Sequence, residues 1–186
     1  MKSKRVFLLA ISIVLSLNQF NLNPAVAESN SADYKAALKQ MRIKKDEVKG
    51  ITWYQDKSSP RYINYNGFYL YTGYAKGYAP TLRLKIQYSG DDWLFINQFF
   101  FNIDGAKFEI NTSYSEMQRD NDSEVWEWLD KVVENEELVI VKKIIKSKKA
   151  VMRMEGDKYY KDVTITSTQK RALKRVLTVY EGLKKK

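Results

Sequence analysis

The chain has no cysteine, no histidine, and only three prolines and eight glycines among its 186 residues. Without cysteine there is no disulfide, no thiolate nucleophile and no sulfur ligand for a structural zinc. Without histidine there is no imidazole base, which excludes Ser-His-Asp and Cys-His nucleophile systems. Internal repeats and low-complexity linkers are also missing. Long apolar runs are scarce: the strongest, Val6 to Leu17, is about twelve residues long, well short of the ~20 that a membrane span needs.

Positive charge is plentiful, with 32 Lys+Arg against 22 Asp+Glu and a formal net charge of +10. Lys2, Lys4 and Arg5 precede the apolar run, and Ala25-Val26-Ala27 closes the segment in the small-x-small pattern read by signal peptidases. Residues 1–27 therefore read as a cleaved export signal, with an uncleaved N-terminal anchor as the competing reading. Cleavage before Glu28 removes three positive charges and leaves about +7 on an extracytoplasmic chain, periplasmic or secreted. No transmembrane segment remains after it. A chain of roughly 160 residues suits one domain with a core of its own.

Residues 28–49 are polar, with a short helix available from Ser31, and read as a loosely attached leader. One domain is expected over residues 50–186. Ile51–Tyr54 and Phe68–Thr72 are strand candidates between turn residues. Thr81–Tyr88 alternates, with Leu82, Leu84, Ile86 and Tyr88 on one side and Arg83, Lys85 and Gln87 on a wet side. Trp93–Ile103 is apolar on both sides, which predicts a central strand covered on both faces, with Trp93, Phe95, Phe99, Phe101 and Ile103 sharing one of them. Asp104-Gly105 is the two-residue hairpin signal leading into Lys107–Thr112.

Residues 113–122 read as polar loop. Val125, Trp128, Leu129, Val132 and Val133 fall at helical spacing and predict a helix. Asn135–Ser147 predicts a second, although the β-branched run Val139-Ile140-Val141 leaves a strand as the alternative. Ala150–Glu155 and Lys158–Ile165 flank Gly156-Asp157 as another hairpin, and Thr166 or Ser167 caps a last helix with the stripe Leu173, Val176, Leu177 and Tyr180. Strands followed by helices predict an α+β fold: an antiparallel meander packed against two or three helices, closed by a C-terminal hairpin and helix.

Between Trp53 and Tyr78 the chain is dense in Tyr, Asn and Gly, a composition suited to recognition surfaces. Tyr62, Tyr65, Tyr74 and Tyr78 stand beside loop residues and are the candidate contacts, though tyrosines also pack across half-buried strands. Late in the chain lie two basic groups, one from Lys142 to Lys149 and one including Lys174 and Arg175. Lys174 and Arg175 are candidates for attraction to an anionic surface, set against the plainer reading of a solvated helix face. An envelope glycan or an acidic protein is the expected partner. Export argues against nucleic acid, and no cofactor is expected. The alternative is a metal-dependent hydrolase of envelope polymers using Asp91, Asp92 or Asp104, which requires those carboxylates to converge.

The segments Ile51-Thr52-Trp53-Tyr54, Gly90-Asp91-Asp92-Trp93-Leu94-Phe95-Ile96, Asp104-Gly105 and Val125-Trp126-Glu127-Trp128-Leu129 resemble a group of small exported bacterial proteins and lipoproteins without assigned activity. The likeness covers roughly residues 50–183. It implies a bacterial source and a single domain, and brings no catalytic residues. The lipobox cysteine of the lipoprotein members is missing here.

Overall fold

A computed structural model describes residues 24–186, with side chains from Ala32 onward. The charged and apolar parts of the proposed signal, residues 1–23, lie outside the described residues. The fold is α+β, with two antiparallel sheets and three helices among the described residues. After helix α1 (Pro24–Lys39) come strands β1 (Met41–Asp46), β2 (Ile51–Asp56), β3 (Gly67–Tyr74), β4 (Thr81–Gly90), β5 (Ile96–Ile103), β6 (Ala106–Asn111), β7 (Met117–Asn121) and β8 (Val125–Val132). Helix α2 (Asn135–Lys146), the hairpin β9 (Ala150–Gly156) and β10 (Tyr160–Thr164), and helix α3 (Ser167–Leu183) complete it.

Six strands form one sheet in the order β1-β2-β3-β4-β8-β7, and four form the other in the order β10-β9-β5-β6. The inner face of the larger sheet carries Phe68, Leu70, Leu82, Leu84, Ile86 and Leu129, all buried. Helix α3 covers this face at β2 and β3. The smaller sheet meets it further along, where Phe68 and Phe101 approach to 5.8 Å between ring centroids. Alternation along the strands sets this division, since successive side chains point to opposite faces.

Residues 28–49 are not a loose leader. They form most of α1 and all of β1. Ala37 and Met41 are buried, and Tyr34 lies so close to Gly182 of α3 that a methyl group there would collide with its ring. The polar sequence of β1 is that of a solvated edge strand, where Lys44 and Lys45 discourage further pairing. Within residues 113–122, which read as loop, Met117–Asn121 pairs with β8 as an outer strand.

The segment with helical spacing from Val125 is strand β8. Val125, Glu127 and Leu129 point inward and are buried, while Trp126, Trp128 and Asp130 point outward. A charged residue in an inward position hid this alternation. Strand β5 is also shorter than expected. Trp93–Phe95 precedes it as an elbow with Phe95 at φ 54°, and a register shift between Ile96 and Gln98 puts Ile96 and Phe99 both in the core. Phe95 is exposed. Nor is β5 covered on both faces: Phe100 and Asn102 line an open concavity of the smaller sheet together with Val151 and Arg153.

The other elements follow the sequence reading. Asp104 (φ 50°) and Gly105 (φ 93°) both adopt the positive φ that a type I′ hairpin requires. Helix α2 opens on a capping box in which Glu137 accepts from the Glu134 N–H, and α3 opens on one built by Thr166 and Gln169. The buried side of α3 is Ala172, Leu173, Val176, Val179 and Leu183, with Leu177 and Tyr180 at its margin.

Candidate functional site

The outer face of the six-stranded sheet carries the candidate site. Pairing brings together residues that are far apart in sequence. One cross-strand row runs Arg42–Gln55–Tyr71–Arg83 from β1 to β4, and a second places Lys44 opposite Trp53 and Trp53 opposite Gly73. Tyr69 stands opposite Lys85 in the next row. Segment 57–66 folds over one end of this face. It is held there by Arg42 Nη2 donating to the Ser59 carbonyl (2.9 Å), Gln55 Nε2 to Pro60 (2.7 Å) and Gln87 Nε2 to Tyr62 (3.0 Å).

The result is a groove of about 610 Å³. Its floor is Trp53, Tyr69 and Tyr71, and one wall is Arg61, Tyr62 and Ile63. Trp53 lies over Gly73, where an added Cβ would come within 2.5 Å of the indole, so glycine lets the ring settle against the backbone of β3. Trp53 and Tyr71 are 5.5 Å apart with ring planes inclined at 49°.

The electrostatics are one-sided. Arg42, Lys44, Arg61 and Lys85 line the groove, and no carboxylate does. Arg42 donates to the carbonyls of Asp56, Lys57 and Ser59, which orient it without neutralising its charge. At the β8 margin Asp130 accepts from Tyr71 Oη (2.7 Å) and Arg83 Nε (2.8 Å), and lies 3.4 Å from Lys85 Nζ. Burial pushes the Tyr71 phenol well above its ordinary pKa, and Asp130 adds to the effect through its hydrogen bond and charge. Burial, with a smaller contribution from Asp130, does the same to Tyr69. Both rings therefore stay neutral at any ordinary pH, and the groove keeps its positive character.

Of the six residues singled out from sequence, only Tyr62 lines this groove. Tyr65 is exposed on the same loop, and Tyr78 is exposed at a separate concavity by the β3–β4 turn. Tyr74 faces the other side of the sheet, partly buried against the core. Lys174 is exposed beside Lys142 and Lys146 of α2, in a cleft that also holds Asp33 and Glu181. Arg175 is not free: its Nε and Nη2 clamp the buried Asp56 at 2.6 and 3.0 Å. The four tyrosines and two cations do not form one surface. Arg42, Lys44, Trp53, Tyr71 and Lys85 escaped the sequence reading because only strand register assembles them. The wet side of Thr81–Tyr88 and the aromatic-rich run from Trp53 to Tyr78 were the legible traces of this face.

The carboxylates of the hydrolase alternative do not converge. Asp91 and Asp92 precede β5 and are exposed, whereas Asp104 follows it and accepts from the backbone N–H groups of Lys148 and Lys149 (3.0 and 2.7 Å). Among the described residues no group of three acids, histidines or cysteines could hold a metal. No described helix is long and apolar enough to cross a membrane. Compared with family models, curated proteins and solved structures, the chain has no significant match.

Proposed function

We propose that the protein is an exported, non-catalytic binding domain whose contact surface is the outer face of the six-stranded sheet. The observation that carries this reading is the groove between β1 and β4, with aromatic rings on its floor and four cations around it against one carboxylate, Asp130, at the β8 margin. Tyr and Trp supply rigid contact area at low entropic cost, and the excess of cations over the one carboxylate, Asp130, favours an anionic guest. The signal-like N-terminus and the resemblance to small exported proteins support an extracytoplasmic setting, and with it an envelope component as guest.

Retention of the mature chain on an envelope fraction tests the reading. Trp53→Ala is expected to reduce retention at least about tenfold even in high salt, and Lys44→Ala to reduce it mainly at low salt, because exposed charge is screened within ~10 Å at 0.1 M. Tyr78→Ala, outside the groove, leaves it unchanged. Undiminished retention of a folded Trp53→Ala protein would place the binding surface elsewhere.

A further inference from the structure

We infer that the guest of this groove is a linear acidic oligosaccharide, its sugar rings on Trp53 and Tyr71 and its anionic groups on the cations at the two ends. The inference rests on the binding reading above and names its ligand class. Charge and rings are arranged in order along the face. Arg42 and Lys44 stand on β1 at one end, Arg83 and Lys85 share Asp130 at the β4 end and leave one positive charge in excess, and Trp53 and Tyr71 lie on β2 and β3 between them. Three strand spacings, about 14 Å, separate β1 from β4, and Lys85 lies two residues along β4 from the Arg42 row, a span that suits a short run of linked sugar rings.

Each competing anion lacks one part of this match. A bare polyanion leaves the aromatic floor unused, and so does an acidic peptide without aromatic or proline residues. A nucleic acid has both rings and phosphates, but flat bases stack best on parallel faces. Trp53 and Tyr71 are inclined at 49°, with one side of the indole against Gly73. Puckered sugar rings, turned relative to one another by their linkage, suit such a pair better. Gln55, in the Arg42–Arg83 row, offers its amide oxygen to a sugar hydroxyl, while its Nε2 stays on Pro60 and the Tyr71 hydroxyl on Asp130 and Arg83.

Calorimetric titration of the mature chain with hexagalacturonate tests this, with its fully methyl-esterified form, inorganic hexametaphosphate, hexaglutamate and a thymidine hexanucleotide as comparisons. Hexagalacturonate is expected to bind at least tenfold more tightly than any of the four. Lys44→Ala, at an exposed position with no hydrogen-bond partner among the described residues, should weaken it about threefold or more, and Trp53→Ala about tenfold. Trp53→Phe should restore part of that loss, which separates a ring contact from a folding defect. Equal binding of the ester would remove the role of charge. Equal binding of hexametaphosphate or hexaglutamate would remove the role of the rings, and equal binding of the hexanucleotide would remove the preference for sugar. Any of these overturns the inference. No binding of hexagalacturonate also overturns it, while Trp53-dependent retention on envelope would leave the broader reading standing.

Discussion

Lys174 and Arg175 are neighbours on α3, yet one side chain is exposed while the other holds a carboxylate that is 1% exposed. Asp56 accepts both guanidinium bonds and also the backbone N–H and hydroxyl of Ser58. Arg175→Ala leaves that buried charge without its cation and is expected to cost ~3–5 kcal/mol in a denaturant titration. Lys174→Ala is expected to stay within ~0.5 kcal/mol. Burial alone would raise the pKa of Asp56, but the bonds from Arg175 and Ser58 prevail and hold it below the ordinary 3.8. Glu137 is likewise held below 4.5, its burial outweighed by Lys131 and by backbone N–H groups. A carboxylate with a lowered folded pKa stabilises fully above its unfolded value and loses that contribution as pH falls through the folded one. The melting temperature should therefore hold from neutral pH to about pH 5 and then decline, and Asp56→Asn should flatten part of the decline.

At the scale of single elements, Glu127 controls the entry to β5. Its Oε1 accepts from the N–H groups of Leu94 (2.7 Å) and Phe95 (2.9 Å), and its Oε2 from Ile96 (2.9 Å) and Arg119 Nε (3.2 Å). Glu127→Gln turns an amide NH2 toward at least one of these donors and is expected to cost ~2–3 kcal/mol. A loss below ~1 kcal/mol would mean that the elbow is held by other contacts. Phe101→Ala, in the seam between the sheets, is expected to cost ~3–5 kcal/mol. The same glutamate explains why β8 read as a helix. Val125, Trp128, Leu129, Val132 and Val133 satisfy helical spacing, while the alternating pattern puts a charged residue in the core. That placement makes sense only beside amides some thirty residues earlier in the chain. The hairpin at Asp104-Gly105 was legible because its cause is local, a backbone shape that those residues favour; Gly156 ends β9, and glycine is needed there because the Leu94 carbonyl would collide with a Cβ. The groove was not legible, since Lys44, Trp53 and Lys85 become neighbours only after four strands have paired in register.

Across the whole molecule, the first and last elements are partners. Helix α1 packs on α3, which also covers β2 and β3. Deleting residues 28–40 should lower the melting temperature by at least about 5 °C, because it takes Ala37 out of the core and Tyr34 off Gly182 of α3. A truncated chain that melts with the full mature one would return the segment to the status of a leader. Two sheets, a shared core and a helix tied to both ends should unfold as one unit, with circular dichroism and tryptophan fluorescence giving the same transition.

The Asp56–Arg175 clamp also bears on timing. Its partners are 119 residues apart, so a chain emerging from its N-terminus presents β2 long before α3 exists to cover it. Early strands can pair, but their inner face stays open and a buried carboxylate has no cation until the chain is nearly finished. Contacts of such sequence separation form slowly, since loop closure precedes any return. The unfinished protein therefore lacks its closed core for most of its synthesis. Under the export proposed above, that delay would favour passage through a translocation channel before the core closes.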